Sequence, residues 1–261
     1  MARLRSARFD ERLTLVEHLD ELRTRIVICV GTLVVAVGLC FWQNSRLLEL
    51  ANRPLPEGTV PITLAPTEPF MTTLTVSATA GLMLALPVLL YQAFAFILPA
   101  LSPAERRAVI PLVLSVPFLF IAGVVFAYFV LMPVAIHFLL NFNVQDFSIE
   151  VRARDYYSFL ALSLLAIGLV FQIPVAVLAL SRLGIVTPEK LAGNRRYAFL
   201  GIAVVAMLVT SPDPATMIFA MIPIYGLFEA SILLARRFGR PRSELDDETE
   251  LGTAEAPAPE A

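Results

Sequence analysis

Four long stretches of this 261-residue chain carry no charged side chain: residues 69–104, 108–145, 156–181 and 197–212. A hydrocarbon core of ~30 Å takes roughly 20 consecutive apolar residues to cross. Inside lipid, every backbone N–H and C=O must be satisfied within the spanning structure. A closed β-barrel meets that demand, but its strands alternate apolar and polar residues, and these stretches do not alternate. The chain is therefore read as an all-α, polytopic membrane protein. Composition agrees: 57% of residues are hydrophobic and 16% charged, against roughly 45–50% and 25% in soluble domains.

Six spans are expected, at about 26–42, 70–98, 109–140, 158–180, 197–210 and 215–235. The fifth is short: at 1.5 Å per residue it rises about 21 Å, so it thins the bilayer or is shielded by a partner. Prolines 87, 111, 117, 133, 174 and 223 interrupt the spans. Each removes a backbone donor and bends its helix, which favours a concave body over a straight bundle. Prolines are also simply common in membrane helices, and that plainer reading stands beside the first. Sixteen Lys and Arg residues fall on one set of loops and termini, and four (Arg46, Arg53, Arg152, Arg154) on the other. The positive-inside bias then places both termini in the cytoplasm.

Residues 1–25 read as a cytoplasmic amphipathic segment, 26–235 as the membrane domain, and 236–261 as an acidic, disordered tail rich in Ala and Pro. The polar first 25 residues show no cleavable signal peptide. Cys29 and Cys40 lie eleven residues apart in the first span, about 16 Å along a helix, too far for a bond between them. His18 and His137 are the only histidines. They have no second ligand at metal spacing, and His137 reads as a packed or interfacial residue. Phosphate-binding loops, nucleophile elbows and zinc-protease motifs are absent, so the chain is read as a non-enzyme without cofactor or metal.

The segment before the first span, "TLVEHLDELRTRI" (14–26), places Leu15, Leu19, Leu22 and Ile26 on one helical stripe. Its other face carries Glu17, Asp20 and Glu21. Glu21 and Arg25 are spaced as an i, i+4 pair, one reading of the acid. A second acid, Glu105, stands beside Arg106 and Arg107 in the next loop of the same side. Glu21 and Glu105 together make a two-point acidic site suited to a ligand with two adjacent guanidinium groups. Glu229 is the only acid within a span, where charge costs a few kcal/mol and faces protein or water. Its position near Arg236 leaves a second reading, a side chain reaching the interface.

Seven segments carry a resemblance: "HLDELRTR" (18–25), "PTEPF" (66–70), "YQAFAFILPALSPAERR" (91–107), "FAYFVLMPVA" (126–135), "NRRY" (194–197), "TSPDP" (210–214) and "YGLFEASILLARR" (225–237). In this order they resemble the TatC family, the polytopic subunit of the twin-arginine protein translocase. The resemblance implies a concave, non-enzymatic receptor of the bacterial cytoplasmic membrane. It would bind the twin-arginine signal peptides of folded cargo and assemble with the single-span partners TatA and TatB and with further copies of itself. Transport would be driven by the proton-motive force, with no nucleic-acid partner. By position, Glu21 and Glu105 would receive the arginine pair, with Arg23, Gln92 and Phe96 near that surface. Phe70 and Asp213 would act on the outer side. Met207, Thr210 and Met217 mark the region where a partner helix would dock.

Two departures are visible. Gln172 stands where many relatives have Glu, which leaves a polar contact but no titratable group. Met217 stands where relatives often have Gln. With Glu229, Gln172 would face the apolar part of the signal or a partner helix. The alternative function is a proton-coupled secondary transporter using Glu229. It lacks the paired broken helices of repeated halves.

Overall fold

The structure, a computed structural model, describes residues 15–56, 58–97, 103–146, 149–182, 186–209 and 214–238. Its helices are α1 (Leu15–Trp42), α2 (Asn44–Asn52), α3 (Glu68–Ile97), α4 (Pro103–Phe126), α5 (Met132–Asn141), α6 (Ala153–Val170), α7 (Ile173–Arg182), α8 (Pro188–Gly193), α9 (Arg195–Val209) and α10 (Pro214–Phe238). Five stretches among the described residues are long and apolar enough to cross a membrane: Leu19–Trp42, Glu68–Phe96, Val109–Asn141, Ala153–Arg182 and Thr216–Arg237. The remaining expected span, the fifth in chain order, corresponds to α9, whose 15 residues rise about 22 Å. The acidic tail beyond residue 238 and the chain before Leu15 lie outside the described residues.

The expected amphipathic segment and first span form one continuous helix, α1. No proline or turn sequence separates them, and apolar residues continue the helical spacing across Arg25. Of the six span prolines, Pro87, Pro111, Pro117 and Pro223 lie inside the continuous helices α3, α4 and α10 and do not interrupt them, whereas Pro133 and Pro174 mark breaks. Pro133 has no N–H to donate to the carbonyl of Phe129 and crowds it. The chain there takes a π-helical turn, Ala127–Leu131, between α4 and α5. Pro174 breaks the fourth crossing in the same way, with turn residues Phe171 and Gln172 between α6 and α7.

α6 is the axis of the core. Its Tyr156, Leu160, Leu164 and Ile167 belong to one buried cluster with Val76 of α3, Met132 and Ile136 of α5, Ala206 of α9, and Ile224 and Phe228 of α10. Two crossings depend on glycine. A Cβ on Gly81 of α3 would lie 2.5 Å from the Val37 Cα of α1, so these helices meet backbone to backbone. Gly123 of α4 and Gly168 of α6 meet likewise, with Phe171 and Phe120 filling the flanks. Large apolar side chains such as Val35, Phe118, Leu200 and Ile222 are left exposed, the outward face expected of a chain surrounded by lipid.

At the end of the bundle carrying Glu68, the connections are stitched together. Ile62 and the 151–153 segment form a parallel β-bridge: the Ile62 N–H donates to Val151 O (2.8 Å) and the Ala153 N–H to Ile62 O (2.8 Å). Tyr128 and Tyr156 donate to the Leu50 and Ala51 carbonyls (2.7 and 2.6 Å), and Tyr157 to Asn52 Oδ1 (2.8 Å). The Tyr156 bond meets a carbonyl in the last turn of short α2, the Tyr128 bond adds to the Arg53 N–H already donated to Leu50 O, and the Tyr157 bond holds the Asn52 side chain.

Candidate functional site

The most connected polar cluster at the opposite end is centred on Arg25. Its guanidinium donates from Nε to Glu21 Oε1 (3.1 Å), from Nη2 to the same oxygen, from Nη1 to Gln92 Oε1 (2.8 Å), and from Nη2 to the Ala95 carbonyl (3.2 Å). Glu21 and Arg25 share a face because they are one helical turn apart. Gln92 and Ala95 come from α3, which the Gly81–Val37 contact holds close to α1. Both partners of the ion pair are half-buried, with side chains 21% and 25% exposed. Asp20, Glu21, Thr24, Arg25, Ile28 and Gln92 line a depression of about 450 Å³. The result is a carboxylate and two carbonyl-type acceptors arranged around a planar fork of donors, the geometry arginine fits and lysine does not.

The structure thus brings Glu21 and Gln92 to one place, with Arg25 between them. Arg23 is exposed; two residues from Glu21, it is turned about 200° away on the helix. Phe96 is half-buried, one turn beyond Gln92. Glu105 is the third residue of α4, and its side chain lies outside what the structure describes. Thr210 and Asp213 lie outside the described residues. Met207 is exposed near the end of α9 and Met217 half-buried near the start of α10. Phe70 is exposed at the start of α3. His137 is exposed on α5, not packed.

Gln172 sits in the α6–α7 break. It is 8% exposed, and among the described residues neither its amide oxygen nor its amide nitrogen has a hydrogen-bond partner. Glu229 has a different environment. Arg195, at the start of α9, grips it with both arms of its fork, Nε to Oε1 (2.9 Å) and Nη2 to Oε2 (2.9 Å). Tyr225 also donates to Oε1 (2.9 Å). Its charge partner is therefore Arg195 of the preceding helix, a pairing that proximity to Arg236 in the sequence did not suggest.

One polar centre was not singled out from sequence. Glu68 of the "PTEPF" segment is buried, and it accepts the Leu64 N–H (2.9 Å) and the Arg152 Nε–H (3.0 Å). Glu68 holds the Arg152 guanidinium's proton more firmly than usual. The signal was present: an acid among prolines at the entry to a span needs a partner. Along α1 to α4 and α6 runs an open, almost wholly apolar groove of about 480 Å³, lined by residues such as Leu84, Val125 and Leu160.

Apolar helices with exposed apolar flanks, and polar clusters confined to the two ends, define a multi-pass helical membrane protein. Residues 17–223 match the family described as "Sec-independent protein translocase protein (TatC)". The TatC protein of Aquifex aeolicus is 37% identical over 239 residues, covering 89% of this chain and 99% of that one. That of Escherichia coli K12 is 37% identical over 238 residues, covering 88% and 92%. Two crystal structures of the "Twin Arginine Translocase Receptor" TatC superpose with TM-scores of 0.76 and 0.74 at 34% and 35% identity, each covering 86% of this chain and all of the other. The chain belongs to the TatC family. It is a protein translocase component, and the comparisons support that reading rather than the proton-coupled solute transporter.

Proposed function

We propose that the Glu21 end of the bundle is a cytoplasmic receptor for the arginine pair of a twin-arginine signal peptide. The observation that carries this is the Arg25 cluster. Glu21, Gln92 and the Ala95 carbonyl already coordinate a guanidinium, so the acceptors stand in the geometry such a ligand needs. Glu105 supplies the second carboxylate from the first turn of α4. Two adjacent arginines engage both acids, and a lysine pair does not reproduce the bidentate contacts. The two solved relatives are named as twin-arginine translocase receptors, which supports the same role here.

In this reading α9 is the fifth of six crossings, and both termini face the cytoplasm. Its short length thins the bilayer beside α10. There, Met207, Thr210 and Met217 mark the docking face for a single-span TatA- or TatB-type helix. Gln172 offers that helix, or the apolar part of the signal, a polar contact. Phe70 and Asp213 lie on the outer side, and the proton-motive force drives transport. A photoreactive group placed beside the arginine pair of a signal peptide tests the siting. Attachment to the 18–28 and 91–107 segments is expected. Attachment to the Glu68 end would contradict the proposal.

A further inference from the structure

The acid proposed to receive a peptide arginine is not waiting for one. Arg25 occupies it, together with Gln92 Oε1 and the Ala95 carbonyl. An exposed i, i+4 pair contributes little and opens freely. This pair differs in two ways. It is half-buried, and its arginine is also bound to groups of another helix, 67 and 70 positions along the chain. Hydrogen bonds to a charged group are stronger than neutral ones, and releasing Arg25 breaks several together.

The geometry points to Arg25 as an internal ligand that competes with incoming guanidinium for the Glu21 site, and so sets its specificity. This rests on the reading of Glu21 as a receptor acid. A peptide with one arginine exchanges one guanidinium for another and gains little. A peptide with two displaces Arg25 and also makes a contact at a second carboxylate, which supplies the net favourable free energy. A lysine cannot fill the acceptor set that Arg25 vacates, because a single ammonium does not match the fork. Selectivity for a pair over a single arginine thus arises from a threshold, in addition to the number of acids present.

The test uses the full chain in nanodiscs and fluorescent signal peptides carrying Arg-Arg, Arg-Lys or Lys-Lys. In the native protein, Arg-Lys binds at least about tenfold more weakly than Arg-Arg. Arg25→Lys keeps the charge but loses the fork. It is expected to tighten both arginine-containing peptides by about tenfold, to narrow the gap between them, and to leave Lys-Lys unchanged. Weaker Arg-Arg binding in Arg25→Lys would make Arg25 a support for the site and overturn the proposal. No change would overturn it as well. A gain in Arg25→Met that extends equally to Lys-Lys, with none in Arg25→Lys, would reduce the effect to net charge and also overturn it. Equal binding of Arg-Arg and Arg-Lys to the native chain would contradict it without any variant. Failure of the underlying reading shows separately, as Arg-Arg binding unaffected by Glu21→Gln.

Discussion

Glu229 and Gln172 are both polar groups within apolar span sequences, and the structure treats them oppositely. Glu229 is gripped by Arg195 and Tyr225. Glu229→Gln is expected to lower stability by about 1 kcal/mol, the upper range for a partly exposed pair. The reversed pair, Arg195→Glu with Glu229→Arg, is expected to recover part of the loss, read as thermal midpoints in detergent. Gln172 is buried with both amide atoms unpartnered among the described residues, and an unsatisfied buried polar group is a cost. Gln172→Leu is expected to stabilise the isolated chain by about 1 kcal/mol, read as a raised midpoint, while weakening assembly with a single-span partner. A drop in the midpoint would mean that the amide already has a partner within this chain. The polar residues were visible in sequence because charge and amide groups stand out in apolar runs. Their partners were not, since nothing in the chain says that residue 195 meets residue 229.

At the scale of elements, the spans were legible and their contacts were not. Crossing a membrane is a demand on length and polarity alone, so the apolar runs located α1, α3, the α4–α5 and α6–α7 crossings, and α10. Pro133 and Pro174 marked two breaks because a missing N–H leaves few backbone options. Which helix faces meet is fixed by small residues, and Gly81 looks like any other glycine until Val37 lies against it. Gly81→Ala is expected to destabilise the α1–α3 crossing by about 1–3 kcal/mol. It should also loosen the Arg25 contacts to Gln92 and Ala95, read as faster hydrogen exchange around residues 20–28. Gly38→Ala, with nothing within 4 Å of its added carbon, is expected to do neither.

The whole molecule has two ends with different work. The Glu68 end is a structural clasp, built from the Ile62 bridge, the Glu68–Arg152 pair and three tyrosines. The Glu21 end is a set of acceptors around a guanidinium. Their assignment to opposite sides of the membrane is checkable in cells, in a background where Cys29 and Cys40 are replaced by serine. An impermeant maleimide is expected to label Gln145→Cys, in the connection after α5, and not Glu189→Cys, in α8. The reverse pattern would invert the topology. The central claim is that Glu21 and Glu105 bind an arginine pair as arginines, not merely as positive charge. Its most direct test is equilibrium binding of Arg-Arg and Lys-Lys signal peptides to the chain in nanodiscs, beside the Glu21→Gln, Glu105→Gln double variant. A strong Arg-Arg preference that the double variant abolishes is expected. Equal binding of the two peptides, unchanged by the substitutions, would contradict it.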